Sequence, residues 1–128
     1  MLAFLLAAGL AGTSCANPSI LSAGVQSVAT NGSLKHYTLA ISVQNLGNGR
    51  QPSNLLQSID VFQDGQRVDR IGLQPLRPKQ LQKVTYSFDR SGDAGDGTTE
   101  FTFTLDFNGR SGHNVDCHAG NETLTATV

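Results

Sequence analysis

Tyr37-Thr38-Leu39-Ala40-Ile41-Ser42-Val43-Gln44 decides the fold. Tyr37, Leu39, Ile41 and Val43 take every second position, with Thr38, Ala40, Ser42 and Gln44 between them. Successive side chains of a strand point to opposite faces, so this run has one apolar face and one more polar face. A helix would scatter the same four residues around its circumference. Slipping the pairing by one residue would turn the apolar face to water, so the pattern specifies a register as well as a strand.

The same period recurs on both sides of this run. Phe101, Phe103, Leu105 and Phe107 alternate with Thr102, Thr104 and Asp106, giving a strand with a heavy aromatic face. Val84, Tyr86 and Phe88 predict another, and Leu124, Ala126 and Val128 a last one. Ser19 to Thr30 reads as a ragged first strand ending in a turn at Asn31-Gly32-Ser33. Ile59, Val61 and Phe62 precede Asp64-Gly65, and Val68, Ile71 and Leu73 follow it. An Asp-Gly pair between two apolar runs predicts a tight hairpin with positive φ at both central positions. Leu73-Gln74-Pro75-Leu76-Arg77-Pro78 carries two prolines, which exclude helix and central strand, so it predicts a crossover between sheets. Asn45 to Asn54, Ser91 to Gly97 and Asn108 to Gly120 read as loops. The expectation is an all-β domain, an immunoglobulin-like two-sheet sandwich of about seven antiparallel strands, with a barrel as its structural rival.

The chain has 128 residues, room for one domain. Its formal net charge is -1 and its Lys and Arg residues are spaced singly, which excludes the basic stripe of a nucleic-acid binder. Leu2 to Ala11 is almost wholly apolar. At about half the twenty residues a bilayer span needs, it matches the apolar core of a signal peptide. The usual basic start is missing, so Met1 need not be the true start. Residues 1–16 are therefore assigned to export and 17–128 to the sandwich, placing the protein in the periplasm or outside the cell. Two processing routes stay open. Ser14-Cys15-Ala16 resembles a small-x-small cleavage site that would release a soluble protein starting at Asn17. Gly12-Thr13-Ser14-Cys15 resembles a lipobox, in which an acylated Cys15 would anchor the protein to the membrane; Gly12 is small for that motif, and soluble release is preferred.

Chemistry-bearing residues are sparse. His113, Cys117 and His118 carry ligand types suited to zinc or copper, and His36 could join them, yet their spacing matches no common zinc pattern. Solvated histidines and a buried cysteine are the preferred reading, so no metal or other cofactor is assigned. Asp89, Asp93 and Asp96 lie in a Gly-rich loop, with Asp106 and Asp116 further on, but the order of a calcium loop is absent. There is no nucleophile elbow, phosphate-cradling loop or dinucleotide fingerprint, and an enzyme is not expected. Asn31-Gly32-Ser33 and Asn121-Glu122-Thr123 fit the N-glycosylation pattern and read as turns.

Taken together, the motif order resembles the cell-adhesion-related domain of bacteria (CARDB). Val43-Gln44-Asn45-Leu46-Gly47 resembles its V-x-N-x-G run, and Val61 to Val68 its V-x-x-D-G-x-x-V hairpin. Leu76-Arg77-Pro78-Lys79 is similar to its L-x-P-G crossover, with Lys79 in place of the glycine. Phe103-Thr104-Leu105-Asp106 resembles the penultimate strand, and Asn121 to Val128 the closing one, with Glu122 replacing an asparagine. The resemblance runs from about Val25 to Val128. It implies an immunoglobulin-like fold in exported bacterial proteins, often a repeat within adhesins or an accessory beside enzymes, and it implies no activity. The departures at Lys79 and Glu122 put any acidic site of the family in doubt here.

The expected function is an exported, non-catalytic binding module for a protein or glycan of the bacterial envelope. Its candidate surfaces are Gly47 to Ser53, Asp89 to Gly97, or an open sheet edge. The alternatives are a lipid-anchored structural envelope protein, a metal carrier using His113, Cys117 and His118, and a protease inhibitor, for which no signature loop is visible.

Overall fold

Asp64 and Gly65 turn with φ of +49° and +87°, the double positive φ their chemistry predicts. In the computed structural model, which describes residues 15–91, 97–107 and 122–128, this turn joins two of seven strands. They are β1 (Pro18–Asn31), β2 (Leu34–Asn45), β3 (Gln57–Gln63), β4 (Gln66–Leu73), β5 (Leu81–Ser91), β6 (Glu100–Phe107) and β7 (Thr123–Thr127).

The strands form two antiparallel sheets. One has the order β1-β2-β5 and the other β4-β3-β6-β7. β4 and β5 lie in different sheets, so Gln74 to Gln80 makes the crossover that Pro75 and Pro78 predict. No described strand pairing joins the two sheets, which makes the molecule a sandwich rather than the rival barrel. The run that begins at Tyr37 lies in the middle strand of the first sheet. Leu39, Ile41 and Val43 are fully buried there, facing Ile59, Val61, Phe101, Phe103, Leu105 and Phe107 of the second sheet. Each such side chain taken out of water contributes about 1.5–3 kcal/mol.

The first strand is longer than its ragged pattern suggests. β1 runs for 14 residues, and shifts in register between Ile20 and Ser22 and between Val25 and Ser27 explain the broken alternation. Asn45, expected to open a loop, is instead the last residue of β2 and is fully buried. At the opposite end Tyr37 stacks on Phe88 at 5.0 Å, and the Arg90 guanidinium lies 4.9 Å from the Tyr37 ring. Arg90 also donates to the Val128 carbonyl oxygen at 2.8 Å, tying β5 to the end of the described chain.

Candidate binding surfaces

β1 offers an open edge. Among the described residues it pairs with β2 alone, and Leu21, Val25 and Val28 on it are each nearly half exposed (45%, 47% and 47%). Val25 and Val28 sit opposite Leu39 and Tyr37 and so share the inward face of the sheet, yet stay nearly half exposed. An edge strand keeps unpaired backbone groups that can accept another strand. The two bulges limit any such addition to straight stretches, of which Ser27–Asn31 is the longest that carries an exposed apolar residue.

The stretch Gly47 to Ser53, expected as a recognition loop, is anchored from within at Gly49 and Gln51, while Asn48, Arg50, Pro52 and Ser53 stay exposed. Asn45, at its base, uses its whole side-chain amide. Nδ2 donates to the carbonyls of Gly49 (2.8 Å) and Leu76 (3.3 Å), and Oδ1 accepts from the backbone nitrogens of Asn17 (2.8 Å) and Gly47 (3.0 Å). Those bonds hold a strap, Cys15 to Asn17, against the loop. The Gly49 nitrogen donates to the Cys15 carbonyl at 2.9 Å, and the Cys15 nitrogen to Asn48 Oδ1 at 3.1 Å. A Cβ on Gly49 would stand 2.5 Å from the Cys15 nitrogen, and one on Gly47 would overlap the Cys15 carbonyl oxygen. The glycine of the V-x-N-x-G run therefore clears space for the strap. Gln51 is buried too: it exchanges amide hydrogen bonds of 3.0 and 2.8 Å with Gln57 and accepts from the Leu76 nitrogen at 2.8 Å. Arg50, Gln51, Ser53, Gln74 and Pro75 line an open hollow there.

The outer faces of the two sheets carry different charges. On the first, His36 Nδ1 lies 2.6 Å from Asp89 Oδ1, both half exposed. On the second, Asp60 of β3 and Asp106 of β6 share Arg70 of β4. Asp60 supplies the largest cause, through its hydrogen bonds, of a guanidinium held above its ordinary pKa. Asp89 and Asp106, considered together as calcium ligands, thus belong to opposite faces, and His36 is engaged by Asp89 rather than by a metal cluster. Sequence reading passed over Asn45, Gln51, Asp60 and Arg70. The asparagine in the V-x-N-x-G run was the one available signal among them.

Cys15 and Ala16, assigned by sequence to the export segment, pack as part of the body: Ala16 is buried, and Cys15 is disulfide-bonded. His113, Cys117, His118, Asp93, Asp96 and Asp116 lie outside the described residues, as does most of the Asp89 to Gly97 surface.

No family model matches the chain, and no curated protein matches it. Two solved structures resemble it over most of its length, both of the CARDB domain of the PF1109 protein from Pyrococcus furiosus. The crystal structure, of the domain in complex with di-metal ions, has 17% sequence identity and a TM-score of 0.66, covering 90% of this chain and 93% of that one. The solution structure has 20% identity and a TM-score of 0.63, covering 91% and 95%. The sandwich described above is therefore the fold of those CARDB domains, as the motif order of the sequence implies.

Proposed function

We propose that the protein is an exported, non-catalytic binding module of the bacterial envelope that recognises an extended peptide segment of a protein partner at the β1 edge. The observation that carries this reading is the half-exposed Val28 in the straight stretch Ser27–Asn31, whose strand pairs with β2 alone among the described residues. Main-chain hydrogen bonds supply affinity in strand addition, and alternate side chains supply specificity. A glycan partner would meet Asn48, Arg50 and Ser53, exposed on Gly47 to Ser53, whereas Gln51 is held inward by Gln57 and the Leu76 nitrogen.

Export rests on the apolar segment Leu2 to Ala11; the disulfide at Cys15 disfavours acylation of that sulfur and equally cleavage ahead of Asn17, so the soluble form proposed here retains Cys15. A sulfur in a disulfide cannot carry a thioether-linked lipid.

Metal binding, suggested by the di-metal complex of the Pyrococcus domain, does not fit the described residues. No three His, Cys, Asp or Glu residues come together among them, and the carboxylates of Asp60 and Asp106 are already bridged by Arg70.

The test compares wild type with V25K/V28K as baits against an envelope extract, with thermal unfolding as the control for folding. An envelope protein retained by wild type and lost from the equally stable variant is the expected result. Equal retention by both baits, or nothing above background with wild type, would overturn the reading.

A further inference from the structure

On the outer face of the second sheet, Asp60 and Asp106 are both more than nine-tenths buried, at 7% and 6% exposure. They belong to the adjacent strands β3 and β6, where Asp60 sits opposite Thr104 and Asp106 opposite Ser58. Two buried carboxylates this close repel each other unless a cation lies between them. Arg70 is that cation. Its Nε donates to Asp60 Oδ1 at 2.7 Å, and its Nη2 donates to Asp60 Oδ2 at 3.2 Å and to Asp106 Oδ2 at 3.0 Å. Arg67 Nη1 stands 4.0 Å from Asp60 Oδ2. The side chains of Arg70 and Arg67 remain about half exposed, at 49% and 53%, so they cover the carboxylates from the solvent side.

One valence is left over. Asp106 Oδ1 is buried and has no hydrogen-bond partner among the described residues. A desolvated, unpaired carboxylate oxygen is costly to keep, and natural structures rarely leave one without a ligand or a role.

We infer that Arg70 is the resident cation of a two-carboxylate site, standing where a hard divalent ion would otherwise sit, so that the wild-type site excludes metal and removal of Arg70 turns it into a divalent-cation site. Carboxylate oxygens are the ligands that Ca²⁺, Mg²⁺ and Mn²⁺ prefer, and Asp106 Oδ1 is one such ligand with no competing donor among the described residues. In wild type the formal charges of Asp60, Asp106, Arg67 and Arg70 cancel, so a divalent ion entering beside both guanidinium groups would meet excess positive charge. Without Arg70 the same pocket holds net negative charge and an oxygen cluster that lacks its counter-ion. This inference is independent of the β1 edge and survives if the proposed function fails.

The experiment follows thermal unfolding and calorimetric binding of the full chain in EDTA and then with millimolar CaCl₂, MgCl₂ or MnCl₂. Three proteins are compared: wild type, Arg70→Met, and the charge-free R70M/D60N/D106N. Wild type and the charge-free variant are expected to show no cation-dependent shift. Arg70→Met is expected to melt lower in EDTA and to regain several degrees with at least one cation, bound at one ion per chain. Stoichiometric binding by wild type overturns the inference. So does an Arg70→Met protein that ignores all three cations, folded or not, while the charge-free variant folds. Failure of the charge-free variant to fold overturns it as well, because the carboxylates would then matter for packing rather than charge.

Discussion

Asn45 Oδ1 accepts a hydrogen bond from the Asn17 backbone nitrogen at 2.8 Å, and this contact ties the strap ahead of β1 to the end of β2. The same amide bonds Gly47, Gly49 and Leu76, so one fully buried side chain organises three segments. Asn45→Ala leaves four backbone groups without their partner, two of them in a part-buried position, at about 1–3 kcal/mol for each buried group left unsatisfied. A total loss on the order of 3 kcal/mol is expected in urea unfolding, since water can reach some of these groups. Asn45→Asp keeps the acceptor and sets a carboxylate against two carbonyls, so it should not rescue. A loss below about 1 kcal/mol for Asn45→Ala would show that the hub is dispensable.

Gly49 and Cys15 set up a second, conditional prediction. An added methyl at Gly49 meets the Cys15 backbone, which cannot yield as the tip of a flexible side chain would. Gly49→Ala should therefore cost about 1–3 kcal/mol, the range for forced overpacking. In a chain starting at Pro18 the obstacle is gone, and the same substitution should cost a few tenths of a kcal/mol, the size of an ordinary unstrained change. Equal costs in the two backgrounds would mean that the strap does not dock as described.

These residues show where sequence reading succeeds and where it stops. Leu39, Ile41 and Val43, like Phe101, Phe103 and Phe107, declare their burial through a period of two, because alternation is a local property of a strand. Asp64-Gly65 declares its turn for an equally local reason. Asn45 and Gln51 do not. An asparagine or glutamine beside glycines and prolines reads as turn chemistry, and their burial depends on partners 28 residues earlier and 25 residues later. Asp60 and Arg70 hold alternating positions that read as a solvated face. Their pairing becomes visible once β3 lies between β4 and β6. The proposed binding edge was legible in outline only, since sequence gives strands but not which of them ends a sheet.

Lys79 has φ of +64° where the resembling crossover motif has glycine. A non-glycine residue pays roughly 1–2 kcal/mol for that conformation. In return the Lys79 ammonium reaches the Leu46 carbonyl, and its backbone nitrogen bonds the Asn45 carbonyl at 2.8 Å. Lys79→Gly keeps the backbone bond and relieves the strain while losing an exposed side-chain contact of small worth. A net gain of up to about 1 kcal/mol is expected, read as a higher urea midpoint at unchanged slope. A destabilised variant would show that the ammonium contact outweighs the backbone cost.

Tyr86 supplies a pH signature. Burial, with Asp69 as a lesser cause, holds its phenol above the ordinary value of 10.0. The unfolded chain therefore loses this proton at a lower pH than the folded chain does. Tyr86's contribution is fully present below about pH 10 and is lost as pH rises through the folded value. Tyr86→Phe keeps the edge-on contact with Phe101 at 5.8 Å and removes the titrating group. At neutral pH the variant should match wild type closely, and as pH rises past about 10 its stability should fall less steeply. Parallel alkaline profiles for the two proteins would assign the decline to other groups.

The disulfide at Cys15 gives a covalent readout of the mature form. Cys117 is the one other cysteine in the sequence, so a bridge within a single chain must use both. Non-reduced protein carrying this bridge should weigh about two mass units less than reduced protein, and its peptide map should join the segments containing Cys15 and Cys117. Reduction should lower stability by about 2–4 kcal/mol, the usual worth of a bridge that closes a long loop. A mature chain that starts at Asn17 cannot form the bridge, and one acylated at Cys15 would be heavier and indifferent to reductant. Either mass would show that the strap is lost or diverted after export, and would remove the support that the Cys15 disulfide lends to a soluble form retaining Cys15.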